Sequence, residues 1–146
     1  MVLVATAFIV KEINDTGFNV WLQKRIEDGP LNDFLEMPGG KIENFETPSE
    51  ALLREVKEET EFSLSKEFLL FKIYPHQYRD RKVALYTFLV NGDVFQSDTG
   101  EWFHINWNES FDDWNILEAN FKIFNEIRDY LKKNYKAGLT SQIWKS

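Results

Sequence analysis

Gly39-Gly40-Lys41-Ile42-Glu43-Asn44-Phe45-Glu46-Thr47-Pro48-Ser49-Glu50-Ala51-Leu52-Leu53-Arg54-Glu55-Val56-Lys57-Glu58-Glu59-Thr60-Glu61-Phe62 is the stretch around which the chain is organised. Thr47 as N-cap, Pro48 at the first helical position and Glu50 three residues after the cap form a capping box, which predicts a helix running to about Thr60. At 100° per residue, Glu55, Glu58 and Glu59 fall within about a third of its circumference, with Arg54 on the edge of that sector. Leu52, Leu53, Val56 and Thr60 lie on the other side and are expected to face the core. Carboxylates three and four residues apart repel by about 0.2–0.5 kcal/mol per pair when exposed, and by more in a cleft. A hard cation relieves that repulsion, and oxygen-only ligands suit Mg²⁺ or Mn²⁺. In front of the helix, the paired glycines of Met37-Pro38-Gly39-Gly40 permit close approach of a ligand to the main chain. From the helix alone, a solvated face with intrahelical ion pairs is the more ordinary reading, because such runs are common on surface helices.

On either side of this segment the chain reads mostly as strands. Val2 to Val10 and Phe18 to Arg25 are joined by the turn-rich Asn14-Asp15-Thr16-Gly17, which predicts a hairpin. Within the second strand Val20 and Leu22 alternate against Asn19, Trp21 and Gln23. Further strand-like runs are Phe68 to Tyr74, Val83 to Val90 and Glu101 to Trp107. A second helix is expected near the C-terminus, where Leu117, Phe121, Phe124, Ile127, Leu131 and Tyr135 recur at helical spacing. The tail after Gly138 is expected to be peripheral, with Ile143 and Trp144 able to dock. Strands and helices mixed without regular βαβ alternation predict an α+β class, and no repeat or linker divides the 146 residues, so one domain over 1–146 is expected.

The 43% hydrophobic content is sufficient for a core, and the apolar run from Met1 to Val10 is too short to span a bilayer. A cytoplasmic protein with no membrane partner is the expectation. Absence of cysteine removes disulfides, thiol catalysis and thiolate metal sites from consideration. A net charge of −7 argues against binding of a nucleic-acid polymer, while a nucleotide can still enter an acidic site when divalent cations carry the local charge.

The spacing makes a family resemblance specific. From Gly40 the chain runs through five residues to Glu46, seven more to Arg54-Glu55-Val56-Lys57-Glu58-Glu59, and one further to Glu61 and Phe62. This resembles the Nudix box, with Glu61 standing where the family usually has glycine. That replacement falls at the helix C-terminus, where a left-handed residue is common, and keeping the same backbone there costs roughly 1 kcal/mol. Leu35-Glu36-Met37-Pro38-Gly39-Gly40-Lys41-Ile42-Glu43, the basic pair Lys24-Arg25, Asp80-Arg81, Gly100-Glu101-Trp102 and Ala119-Asn120 are similar to the MutT branch in order and spacing.

The resemblance implies a mixed α/β/α sandwich with the glutamate helix on one side of the sheet. It implies an Mg²⁺-dependent pyrophosphohydrolase, with Mn²⁺ able to substitute, that splits a purine deoxynucleoside triphosphate such as dGTP or 8-oxo-dGTP into monophosphate and pyrophosphate. The Gly39 carbonyl, Glu55, Glu58, Glu59 and Glu101 would hold metal. Arg54 would orient Glu55, and Glu55, Glu58 and Glu101 are alternative bases for the attacking water. Asn120, Arg81 and Arg25 would bind the nucleotide, and Tyr78 could stack on a base. His76 and His104 are expected to be structural. A dinucleoside polyphosphate substrate, a catalytically silent nucleotide-binding domain, and a monomeric or homodimeric state all remain open.

Overall fold

A computed structural model describes residues 1–145. Seven strands and two helices follow one another as β1 (Val2–Lys11), β2 (Gly17–Lys24), β3 (Leu35–Glu36), β4 (Gly39–Lys41), α1 (Pro48–Thr60), β5 (Phe68–Gln77), β6 (Lys82–Asn91), β7 (Gly100–Asn106) and α2 (Glu118–Lys136), with a 3₁₀ turn at Thr140–Gln142. The expected elements are present with ends shifted by a few residues. β3 and β4 are additional, too short to leave a periodic signal.

The sheet is mixed, as the α+β expectation requires. β1 runs parallel to β6, and its other edge is divided: Ile9 to Lys11 pair with β2, whereas Val4 to Thr6 pair with β4. β2 is antiparallel to β7 from Gly17 to Gln23 and to β3 at its end, and β5 closes the other side against β6. The hairpin between β1 and β2 is antiparallel, as predicted.

Each sheet face carries one helix. α2 lies over Phe8, Val10, Phe18, Val20, Leu22 and Leu89, placing Ile123, Phe124, Ile127 and Leu131 in that core. Phe124 meets the Phe8 ring edge-on at 5.2 Å, a geometry favoured by the ring quadrupoles. α1 lies over Ala5, Ala7, Ile9 and Trp21, small residues on β1 allowing close approach of the helix. Full burial of Trp21 shows that β2 is covered on both faces, so the alternation of Val20 and Leu22 with Trp21 separates two cores rather than core from solvent. The core face of α1 is Ala51, Leu52, Val56 and Thr60, while Leu53 is 37% exposed, contrary to its expected place. In the tail, Ile143 is buried against the α2 core. No described helix is long and apolar enough to cross a membrane.

α1 begins with the predicted capping box, Thr47 accepting from the Glu50 amide and Glu50 from the Thr47 amide. It ends on Glu61, whose φ of 63° and ψ of 8° are left-handed, with its amide donating to the Lys57 carbonyl. The backbone that glycine normally supplies is thus retained by a residue with a Cβ. Glu61→Gly should therefore raise stability by about 0.5–1 kcal/mol in urea unfolding, the strain released exceeding the entropy gained by the unfolded chain. A destabilised variant would show that the Glu61 side chain makes up for the strain.

Candidate functional site

The acidic face of α1 is organised by one arginine. The Arg54 guanidinium donates to both Glu46 oxygens at 2.6 and 2.9 Å, to Glu55 Oε1 at 2.8 Å, to the Lys41 carbonyl at 3.0 Å and more distantly to Glu58 at 3.4 Å. A planar fork with five N–H donors serves several carboxylates and a carbonyl together, where an ammonium has only three. Those bonds, with the Glu43 amide, pull the Glu46 carboxyl down to about 2. Beside them the Glu55 carboxylate fills the space above Gly40, where an added Cβ would stand 2.4 Å from its carboxyl carbon.

Glu59 is in a different environment. It accepts from Gln23 Nε2 at 2.7 Å and from the Gly39 amide at 3.3–3.4 Å, both uncharged donors. Burial pushes its carboxyl up to about 7 despite those two bonds, and the Glu36 and Glu55 charges add to the rise. Burial likewise raises Glu36, against the opposing pull of Arg25.

On the α2 side, a hollow of about 280 Å³ opens where β1 changes partners. Its floor is Val2, Val4 and Thr6 of β1 with Val83 and Leu85 of β6, and Gly39 and Gly40 border it towards α1. Arg25, Tyr78, Arg81 and Asn120, singled out separately along the sequence, all line this hollow. Tyr78 and Arg81 are held at the β5–β6 turn by the Tyr78 amide donating to the Arg81 carbonyl, and the guanidinium lies 5.7 Å from the ring centroid. Arg25 is held by Glu27 at 3.1 Å and Glu36 at 3.2 Å. Asn120 is only 7% exposed, yet its side-chain amide bonds to no described residue.

Glu101 does not join the acidic helix. Its register partner on β2 is Leu22, whose side chain faces the α2 core, whereas Trp21 and Gln23 face α1. The alternation of a strand therefore directs Glu101 to the face opposite Glu55 and Glu59, where it borders a separate depression with Lys24 and Asp98. The sequence reading placed Glu101 by order along the chain, which carries no information on side-chain direction. The histidines have structural surroundings: His104 bonds to Asn19 at 2.8 Å and His76 meets the Tyr78 ring edge-on.

Glu36, Gln23 and Thr6 were not singled out from sequence, although all three touch the hollow or the acids. Glu36 had a signal in its place three residues before Gly39, and Gln23 and Thr6 had none. Oxygen donors with free lone pairs remain on Glu55, Glu58, Glu59 and the Gly39 carbonyl, a hard set suited to a divalent cation. They are drawn instead to Arg54, Gln23 and the Gly39 amide, and among the described residues no three acidic or imidazole side chains converge as a finished metal cage.

A mixed sheet between two helices, with a glycine-bordered strand feeding an arginine-organised acidic helix, defines a Nudix pyrophosphohydrolase, and the chain belongs to that family, since the NUDIX domain model matches residues 3–124. Within the family the similarity is to MutT. The 8-oxo-dGTP diphosphatase of Escherichia coli K12 is 33% identical over 104 residues, covering 68% of this chain and 77% of that protein. The enzyme of the same description from Haemophilus influenzae is 30% identical over 118 residues, covering 78% and 84%. Among solved structures, one from a study of MutT of Aliivibrio salmonicida and Vibrio cholerae aligns with a TM-score of 0.65 at 18% identity, covering 88% of this chain and 96% of that one. A MutT/nudix family protein from Enterococcus faecalis gives a TM-score of 0.74 at 16% identity, covering 97% and 66%. The structural likenesses carry the fold alone.

The state of Glu59 has a measurable consequence without any cation. A carboxyl raised from 4.5 to about 7 in the folded chain contributes stability that is complete below the unfolded value and lost as pH climbs through about 7. The Tm of metal-free protein should fall between about pH 5 and pH 8, and Glu59→Gln should flatten much of that fall. A variant that follows the wild-type curve would place its origin elsewhere.

Proposed function

We propose that this enzyme hydrolyses a purine deoxynucleoside triphosphate, dGTP or its 8-oxo form, to the monophosphate and pyrophosphate with Mg²⁺, Mn²⁺ being able to replace it. The observation that carries the purine assignment is Asn120: a residue only 7% exposed that lines the hollow, its amide open to that hollow and bonded to no described residue. An amide open to the hollow offers a donor beside an acceptor, the pattern that a purine base edge presenting an acceptor beside a donor can pair with. The 8-oxo-dGTP diphosphatases that resemble this chain support the same substrate class.

The nucleoside occupies the hollow, with Asn120 on the base edge and Tyr78 and Arg81 flanking it. The phosphate chain leaves past Gly39 and Gly40, where the absence of side chains lets it approach the backbone. Arg25 lines the same hollow and reaches the base or a phosphate. Glu55, Glu58, Glu59 and the Gly39 carbonyl would hold the cation, which neutralises the phosphates and stabilises charge on the leaving group. Arg54 fixes one oxygen of Glu55 and leaves the other free, so Glu55, or Glu58 beside it, takes the proton from the attacking water. The water oxygen adds to phosphorus as the anhydride bond breaks, leaving nucleoside monophosphate and pyrophosphate. Glu101 is given no part, because of its orientation.

A panel of deoxynucleoside triphosphates with Mg²⁺, products resolved by chromatography, tests this reading. Monophosphate and pyrophosphate should appear from purine substrates and cease on chelation; full activity after exhaustive chelation sinks it. Glu55→Gln and Glu59→Gln should each lower kcat by about a hundredfold, on the order of 3 kcal/mol of transition-state stabilisation, with the fold intact. For the base, Asn120→Ala should cost roughly 1–3 kcal/mol in kcat/KM for dGTP and much less for dCTP. An unchanged guanine-to-cytosine ratio would return Asn120 to a structural role.

A further inference from the structure

Thr6 is a polar residue in the otherwise apolar part of the hollow floor, lying between Val4 and Phe8 on the α2 face of β1. Beneath it, Thr87 of β6 is fully buried and stands opposite in register. The Thr87 hydroxyl donates its single proton to the Leu85 carbonyl at 3.3 Å, and the Thr6 hydroxyl donates to Thr87 across 3.5 Å. Each hydroxyl has one proton and two lone pairs. With its own proton directed to Leu85, Thr87 faces Thr6 with lone pairs, so this long contact turns the Thr6 proton towards Thr87. Thr6 therefore presents lone pairs to the hollow, and no described residue donates to them. At that position the protein offers an acceptor, which selects a ligand group carrying O–H or N–H.

Position decides which group that is. Tyr78 and Arg81 stand at the end of the hollow where β5 turns into β6, beside the Val2–Val83 pair. Thr6 is four residues further along β1, directly opposite Gly39 at the border with α1. A nucleotide lying with its base towards Tyr78 and Asn120 and its phosphates past Gly39 places its sugar between them. We infer that Thr6 is a specificity-determining residue that accepts a hydrogen bond from the 3′-hydroxyl of the sugar. The inference rests on the nucleotide reading of this hollow and extends it from the base to the sugar.

The test compares dGTP with 2′,3′-dideoxy-GTP, which lacks the hydroxyl, on wild type, Thr6→Val and Thr6→Ser. Valine keeps the shape and suits a strand, so folding should survive, and serine keeps the acceptor. Wild type should prefer dGTP by roughly tenfold to a hundredfold in kcat/KM, as expected when a site built for a hydroxyl meets a substrate without one. Thr6→Val should lose that factor on dGTP and nothing on the dideoxy substrate, bringing the ratio near unity, while Thr6→Ser keeps most of the preference. Equal loss on both substrates, as for a merely structural threonine or a contact to the base, overturns the inference, as does no loss on either. Should wild type turn over neither triphosphate, the triphosphatase reading fails, and calorimetric binding of dGMP against 2′,3′-dideoxy-GMP decides Thr6 separately. A wild-type preference for dGMP that Thr6→Val abolishes sustains the inference; equal affinities, or no binding of either, overturn it.

Discussion

The site depends on a steric constraint: the carboxylate of Glu55 occupies the volume that a side chain on Gly40 would need. This contact joins β4 to α1. Any Cβ at Gly40 would displace Glu55, and with it the bond to Arg54 that ties Glu55 to Glu46 and the Lys41 carbonyl. Gly39 is constrained equally from the other side, since a Cβ there would stand 2.2 Å from the Ala5 carbonyl oxygen. The two glycines thus wedge β4 between β1 and α1, with no room for side chains in either direction.

That wedge divides the edge of β1. Because β4 takes Val4 to Thr6, β2 can pair only with the end of the strand, and β2 and β4 diverge from there. The hollow opens at this divergence, so groups from opposite faces of the sheet come to one place. Thr6, Val83 and Asn120 belong to the α2 side, while Gln23 and Glu59 belong to the α1 side, and Glu36 at the division faces the hollow yet influences the charge on Glu59. Binding at the end of a sheet where strands part is a recurrent solution for small ligands.

Much of this was legible in the sequence, for definite reasons. The capping box, the acidic sector of α1 and the glycine pair are local features whose meaning is fixed by residues within one or two turns, and they reappear as read. Arg25, Tyr78, Arg81 and Asn120 were separable only by resemblance, since the last stands ninety-five positions after the first; the fold brings them to one hollow. What escaped was facing. The alternation of Val20 and Leu22 against Trp21 left open what each side of β2 meets, and both faces of that strand are covered. Leu53 was expected in the core because it lies opposite the carboxylates on the helix, but the buried face is Ala51, Leu52, Val56 and Thr60, and Leu53 is left at its exposed edge. Glu101 looked like a partner of the helix acids, but its register with Leu22 turns it away. Each is a question of side-chain direction, decided by pairing between distant segments. Thr6 belongs to the same class, a strand residue whose importance depends on Thr87, eighty-one positions away.

The two glutamates at the ends of the site show how charge has been distributed. Glu46 has an arginine fork and its carboxyl is pulled down to about 2, whereas Glu59 has an amide and a backbone N–H and is pushed up to about 7. The side chains are chemically identical, so the partner and the burial make the difference. A sequence selected for stability alone would supply Glu59 with a cation of its own or replace it by glutamine, removing the burial cost and the repulsion from Glu36 and Glu55. The chain does neither, although one arginine shows that the means are available. Buried carboxylates left short of positive charge are concentrated at functional sites, because an environment that disfavours their ionised form in the empty protein favours any positively charged ligand that enters. Arg54 therefore marks the limit of internal neutralisation: it makes the acidic helix foldable, and it stops one turn short of the carboxylate that faces the sheet.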